Sequence, residues 1–150
     1  MNRFFRAVFV FLGLLALPCL AAEPELVIKS AAFGVLEVSK SNELTFEPAT
    51  VVPHRLKQRY GWVIELQTKK RQVSVREEYL LPPKPQSAEE HASGAIPMER
   101  RSQVSQRALV PIDGKIYGEW AVGPNEPAGH RHLQVFVEGE LAGDFEFDVR

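Results

Sequence analysis

Residues 129–150, GHRHLQVFVEGELAGDFEFDVR, carry the clearest fold signal in the chain. On both sides of Gly139, apolar residues occupy every second position, which is the period of a β-strand with one buried face. The inward positions of the two strands are all apolar: Leu133, Val135, Val137, Phe145, Phe147 and Val149. The segment therefore predicts a β-hairpin whose inner face belongs to a hydrophobic core.

The loop of this hairpin is constrained by strand parity. Directly opposite residues must share a face, so the two numbers of a cross-strand pair must add up to an even value. A two-residue loop at Glu138-Gly139 or Gly139-Glu140 gives odd sums and would set inward residues against outward ones. We therefore predict a three-residue loop, at either 137–139 or 138–140.

The outward face of the hairpin carries His130 and His132, about 6.6 Å apart at roughly 3.3 Å per residue. With the loop at 137–139 the two histidines face Glu146 and Asp144; with the loop at 138–140 they face Asp148 and Glu146. Each imidazole lies opposite a carboxylate in either register. These are exposed pairs worth about 0.2–1 kcal/mol each, so the sequence favours a structural role for them.

The same outward residues form the one candidate metal site that the sequence offers. Imidazole and carboxylate groups bind zinc and copper, which makes the candidate ligands His130, His132, Asp144 and Glu146. The set would be open to solvent and includes no thiolate. We expect no metal or other cofactor, and we keep a small periplasmic zinc- or copper-binding protein as the alternative function.

Alternation with period 2 recurs along the rest of the chain and predicts an all-β fold. In the segment 60–67 one face carries Tyr60, Trp62, Ile64 and Leu66. The polar run at 68–71 then predicts a tight turn, with a return strand at 72–81 that places Val73 opposite Leu66. The two tryptophans, Trp62 and Trp120, lie on apolar faces and are expected in the core rather than on a ligand-stacking surface.

Further strands are expected on both sides of this hairpin. Residues 26–38 predict a first strand that bends or bulges at Gly34, and Pro48 and Pro53 restrict the segment 39–58 to short or edge strands. Near the end of the chain, Asp113-Gly114 predicts a tight turn between strands at 108–110 and 116–122.

These segments add up to about seven antiparallel strands, the pattern of a two-sheet β-sandwich; a small closed barrel is the alternative. Between the strands, residues 82–103 are rich in proline and polar residues and predict a long flexible loop. The fold prediction is therefore one Ig-like β-sandwich domain over residues 23–150 with this loop inside it.

The first 22 residues differ from the rest in composition. Arg3 and Arg6 precede an apolar run of 11 residues and a cluster of small residues, which is the pattern of a secretory signal peptide cleaved after Ala21 or Ala22. The run is too short for a membrane-spanning helix, which takes about 20 residues. Leu17 and Pro18 argue against lipid modification of Cys19. We expect a secreted or periplasmic protein without a transmembrane anchor after cleavage.

Composition and motifs restrict the function. Loss of Arg3 and Arg6 leaves 16 basic against 19 acidic residues, a net charge of −3, which does not indicate a nucleic-acid partner. Basic residues concentrate in the segment 54–76 and acidic ones in 138–148, so these stretches face each other, contact a charged partner or are simply solvated. No nucleophile elbow, zinc-protease motif or phosphate-binding glycine loop occurs. Glu77 and Glu78 are adjacent on a strand and point to opposite faces. We therefore expect no enzymatic activity.

Several motifs together resemble a family of secreted bacterial proteins. They are Phe33-Gly34-Val35, Tyr60-Gly61-Trp62, Leu80-Leu81-Pro82-Pro83, Gly118-Glu119-Trp120, Pro127-Ala128-Gly129-His130, the segment 134–141 and Phe145-Glu146-Phe147-Asp148-Val149. The mature chain is similar to an uncharacterised family of extracytoplasmic Ig-like domains, a domain of unknown function. The resemblance implies an Ig-like fold and supplies no catalytic residues. We expect a binding or structural accessory domain of the bacterial cell envelope, whose partner is a protein or another envelope component.

Overall fold

The computed structural model describes residues 24–81 and 100–150, and this part of the chain contains strands and no helix. The strands are β1 (Leu26–Val38), β2 (Leu44–Pro48), β3 (Val51–Val52), β4 (Arg59–Thr68), β5 (Val73–Leu81), β6 (Arg100–Leu109), β7 (Lys115–Ala121), β8 (Gly129–Val137) and β9 (Glu140–Val149). The expected signal peptide, residues 1–22, lies outside the described residues. Among the described residues, no helix has the length and apolar character needed to cross a membrane.

The strands form two sheets, as the alternation predicts. One sheet has four strands in the order β2-β1-β4-β7, and the other has five in the order β3-β9-β8-β5-β6. Neighbouring strands are antiparallel except for the short parallel pair β3–β9. The arrangement is a sandwich and not a closed barrel. The short strands β2 and β3, both at sheet edges, bring the seven expected strands to nine and agree with the restriction imposed by Pro48 and Pro53.

The core lies between the two sheets and is built from the predicted inward faces. Trp62 is 1% exposed and Phe147 is equally buried, while Trp120 is partly buried and packs against the same cluster. Phe33 of the four-stranded sheet stacks on Phe147 of the five-stranded sheet with 4.2 Å between ring centroids. Burial of side chains of this size contributes about 1.5–3 kcal/mol each, which makes this interior the main source of stability.

The predicted hairpin between β4 and β5 is wrong. β4 pairs with β1 and β7, whereas β5 pairs with β6 and β8, so residues 69–72 connect the two sheets. Leu66 and Val73 therefore do not form a cross-strand pair, although both are buried. The alternation predicted the inward residues correctly. It does not show whether β4 and β5 are neighbours in one sheet or face each other across the core.

The final hairpin has one of the two predicted registers but a different loop. His130 lies opposite Asp148 and His132 opposite Glu146, so the sums are even, as in the 138–140 alternative. The loop itself is the two-residue turn Glu138-Gly139, with φ of 52° and 85° as a type I′ turn requires. A β-bulge between Val135 and Phe136 adds one residue to β9. The sums of the paired residue numbers are therefore odd next to the two-residue turn and even beyond the bulge.

Two further expectations are modified by the strands. The irregularity in β1 falls between Ile28 and Ser30 and not at Gly34; a Cβ at Gly34 would lie 2.1 Å from the backbone oxygen of Glu47, so glycine permits the close approach of β2. Strand β6 begins at Arg100, inside the segment 82–103 that was expected to be loop. Residues 82–99 of that segment lie outside the described residues. The Asp113-Gly114 turn is present, with φ of 49° and 72°, but it closes only the bridge between Ile112 and Lys115, because β6 and β7 belong to different sheets.

Candidate functional site

The outer face of the five-stranded sheet carries the histidines singled out by the sequence. Nδ1 of His130 lies 3.1 Å from Oδ1 of Asp148, its directly opposite neighbour. Nε2 of His132 is hydrogen-bonded to Oδ1 of Asp144, which lies diagonally across the strand pair. Glu146 is more distant, with Oε2 3.9 Å from Nε2 of His130. Each imidazole thus contacts a carboxylate of its own.

This arrangement fits cross-strand pairing better than a shared ion. The four candidate ligands do not converge on one point, because His130 and His132 bond to different carboxylates. In residues 24–81 and 100–150, no group of three or more histidine, cysteine, aspartate or glutamate side chains has the geometry to hold a metal ion. Metal binding by these residues stays the alternative hypothesis, and a titration tests it.

The basic and acidic stretches of the sequence meet at one described contact. Nζ of Lys70 lies 2.7 Å from Oε2 of Glu138 at the end of the sandwich. The Lys70 ammonium, together with the backbone N–H of Ser74, lowers the pKa of the Glu138 carboxyl, and Glu138 raises the pKa of Lys70. This pair joins the β4–β5 connection to the turn of the final hairpin.

A buried carboxylate is the feature that the sequence did not reveal. Glu77 of β5 is 2% exposed and points into the sandwich. Three donors surround its oxygens: Trp62 Nε1 at 2.5 Å, Ser105 Oγ at 2.8 Å and Arg107 Nη2 at 3.4 Å. Because Trp62 belongs to the four-stranded sheet, the group bridges the two sheets. Both oxygens of the carboxylate are hydrogen-bonded, which indicates a structural role, since a buried charge is stable only when it is paired.

A second feature not foreseen from the sequence lies on the outside of the four-stranded sheet. Its outward positions alternate with the buried ones and include five apolar side chains, which we call the outer apolar face: Leu36, Leu44, Phe46, Val63 and Tyr117. A groove of about 290 Å³ runs between them.

Exposed apolar residues concentrate on this side of the molecule. Seven large apolar side chains are exposed in the described part of the chain. Five belong to the four-stranded sheet or to the segment 110–114, which leads into its edge strand β7: Val38, Leu44, Val110, Ile112 and Tyr117. Tyr117 is 62% exposed although it sits in the middle of β7. Soluble domains rarely leave such side chains grouped unless the surface binds something.

Charged residues border the outer apolar face. Arg59 of β4 forms a two-pronged ion pair with Glu119 of β7, with Nη2 2.7 Å from Oε2. This bond raises the pKa of Arg59 and lowers that of Glu119. At the opposite end of the same two strands, Glu65 lies directly across from Lys115. The face is therefore apolar in the middle and charged at its ends, with both signs present at each end.

The signal for this face was present in the sequence. Val63 and Tyr117 are apolar residues at positions that alternate with a buried row, so both faces of β4 and β7 carry apolar side chains. A half-exposed strand ordinarily carries polar residues on its outward face. The inward rows alone assign no role to these residues.

The sheet order and the packing across the core define an immunoglobulin-like β-sandwich. A family model described as the PM0630 beta sandwich domain matches residues 31–150. The chain belongs to that family.

Solved structures agree with this fold. An immunoglobulin-like protein (PA1606) from Pseudomonas aeruginosa superimposes with a TM-score of 0.57 at 24% identity, over 86% of this chain and 99% of that one. The alkylpurine DNA glycosylase AlkC of Pseudomonas fluorescens gives a TM-score of 0.43 at 17% identity, over 86% of this chain and 31% of that one, which is too weak to support an argument. No curated protein is significantly similar to the chain. The similarity supports the fold alone.

Proposed function

We propose that the protein is a secreted or periplasmic, non-enzymatic binding module of the bacterial cell envelope, and that it binds a protein partner through the outer apolar face. The observation that carries the proposal is the grouping of exposed apolar side chains on the four-stranded sheet, with Tyr117 at the centre of an edge strand. Aromatic residues of this kind are enriched where proteins bind one another.

The shape of the surface favours a protein over a small molecule. Small ligands bind in concave pockets that enclose most of their surface. The groove lies on the outward side of a sheet, with Leu44 and Tyr117 exposed at its two sides. A broad and shallow apolar surface with charged ends matches the apolar centre and polar rim of a protein interface.

The chemistry of the described residues supports a non-enzymatic role. Glu77, the buried carboxylate that points into the sandwich, is hydrogen-bonded to Trp62, Ser105 and Arg107 and lies away from solvent. On the outer face of the five-stranded sheet, His130 and His132 each form a hydrogen bond with a surface carboxylate. Neither set combines a nucleophile with a base in a cleft, which is the arrangement that catalysis requires.

Crosslinking in the native cell envelope, followed by purification of the protein, tests the proposal. We expect specific protein adducts with the wild-type chain and their loss with Tyr117→Glu, because the substitution places a charge in the apolar centre of the surface. Gln106→Glu, which adds the same charge at an exposed position of β6 in the other sheet, is the matched control and retains the adducts. Equal adducts from both variants would contradict the proposal.

A further inference from the structure

We propose that the partner of the outer apolar face is a second copy of this chain, and that two four-stranded sheets pack face to face in a symmetric dimer. The inference rests on the proposed function, since it names the occupant of the same surface. It is carried by the arrangement of four charged residues around the face and by the area that the sheet offers.

The four charges alternate around the face. On β4, Arg59 lies at one end and Glu65 six residues further on; on β7, Glu119 lies beside Arg59 and Lys115 lies across from Glu65. All four occupy the outward rows, in alternation with the buried rows of the same strands. Each corner of the face therefore has the opposite sign to both of its neighbours.

Such a pattern is complementary to itself. In the proposed dimer the two-fold axis lies between the two facing sheets, perpendicular to the strands, and crosses them at their middle. This axis places β4 antiparallel over β4 of the second copy, and β7 over its β7. Arg59 then opposes Glu65 of the other copy, and Glu119 opposes Lys115 of the other copy. Position 62 is midway between Arg59 and Glu65 on β4, and position 117 is midway between Lys115 and Glu119 on β7. In the sheet, residue 62 pairs with residue 118, which is one position from 117. A single axis therefore serves both strands.

Arg59 can form the contact between copies without giving up its bond within the chain. Glu119 occupies its Nε and Nη2. A guanidinium has five N–H donors, so those on Nη1 remain for a carboxylate of the second copy. The ends of the face would thus form networks of charges across the interface, which contribute more than isolated surface pairs.

The area of the face suits a stable dimer. The four strands of the sheet together hold 35 residues, each covering about 16 Å² at roughly 3.3 Å per residue and about 4.8 Å between strands. The sheet therefore offers about 550 Å² per copy, or about 1,100 Å² in total, close to the roughly 1,000 Å² expected of a specific interface. Tyr117 and Val63 lie near the axis, where apolar side chains are most fully buried.

Charge reversal in a pair of variants tests the dimer. The protein is expressed as the full chain, purified, and its mass measured by light scattering across the micromolar range. We expect a dimer for the wild type and half that mass for Arg59→Glu and for Glu65→Lys alone, since each variant opposes like charges. An equal mixture of the two variants is expected to regain the dimer mass, because every pair between copies is then complementary. Circular dichroism confirms that each variant is folded.

A second pair of variants distinguishes loss of the dimer from misfolding of a single variant. Lys115→Glu and Glu119→Lys are expected to behave in the same way, each monomeric alone and dimeric when mixed. A monomeric wild type, single variants that keep the dimer mass, or mixtures that stay monomeric would overturn the inference. A monomeric wild type whose envelope adducts still depend on Tyr117 would overturn the dimer alone and leave the proposed function standing.

Discussion

The indole Nε1 of Trp62 in the four-stranded sheet donates a hydrogen bond of 2.5 Å to Oε1 of Glu77 in the five-stranded sheet. Both side chains are almost fully buried, so the bond joins the two halves of the sandwich through their interior. Ser105 and Arg107 complete the group from the edge strand β6. The bridge ties the partly exposed Arg107 to the centre of the core.

Removal of this carboxylate is expected to destabilise the fold. Glu77→Ala leaves the N–H of Trp62 and the hydroxyl of Ser105 without their acceptor, and hydrogen bonds to charged groups contribute about 1.5–3 kcal/mol. We expect a loss of that size in the free energy of unfolding measured with urea. Glu146→Ala, which removes an exposed glutamate of β9, is expected to change it by about 0.5 kcal/mol or less. Equal effects of the two substitutions would show that the bridge does not stabilise the core.

Close packing against Trp62 makes a second prediction. A Cβ at Gly118 would lie 2.4 Å from the indole ring, whereas a Cβ at Gly123 would meet its nearest neighbour, Glu126, at 3.8 Å. Gly118→Ala is therefore expected to cost about 1–3 kcal/mol of unfolding free energy through overpacking and to shift the tryptophan fluorescence. Gly123→Ala is the matched control and should be nearly neutral. A neutral Gly118→Ala would mean that β4 and β7 are not in the register described.

The Lys70–Glu138 pair predicts a dependence of stability on pH. Hydrogen bonds from Lys70 and from the backbone of Ser74 hold the pKa of Glu138 below its ordinary value of 4.5. A lowered carboxyl pKa contributes stability above the unfolded value and loses it as the pH falls through the folded value. Glu138→Gln is therefore expected to lower the melting temperature at pH 7, with a difference that shrinks below about pH 4.5. Glu140→Gln, at the same turn, is the control. A difference that grows on acidification would refute the assignment.

Metal binding by the histidine pair is tested by titration. Since His130 and His132 each bond to a separate carboxylate, we expect micromolar zinc or copper to give no heat of binding and no change in melting temperature. Stoichiometric binding that is lost in both His130→Ala and His132→Ala would instead establish the alternative function as a metal-binding protein.

Much of the fold could be predicted from alternation alone, because burial of every second residue is the condition that a sandwich strand must satisfy. The alternation predicted the inward rows and the final hairpin, and it left two registers for the cross-strand pairs of that hairpin, one of which is observed. It did not give the sheet to which β5 belongs, because Val73 and Val75 would be buried either beside β4 or across from it. Alternation also did not predict the one-residue bulge that allows the two-residue Glu138-Gly139 turn to occur with the observed register. A bulge changes which residues pair without changing the composition of the strand.

The candidate site was harder to predict than the fold. Glu77 appears in the sequence as one of two adjacent acids on a strand, and its burial depends on Trp62 and Arg107, which are distant along the chain. The outer apolar face depends on which strands are neighbours, since Phe46, Val63 and Tyr117 come together only when β2, β1, β4 and β7 are in one sheet. The histidines were conspicuous in the sequence, and the structure places them in ordinary cross-strand pairs.

Binding of a partner through the outer apolar face can be tested by site-specific crosslinking in the native host. Tyr117 is replaced with a photo-crosslinking phenylalanine derivative, and the same derivative is placed at Asp144, on the outer face of the other sheet, for comparison. We expect a defined crosslinked protein product from position 117 and none from position 144. Products from position 144 alone, or no product from either position, would contradict this proposal.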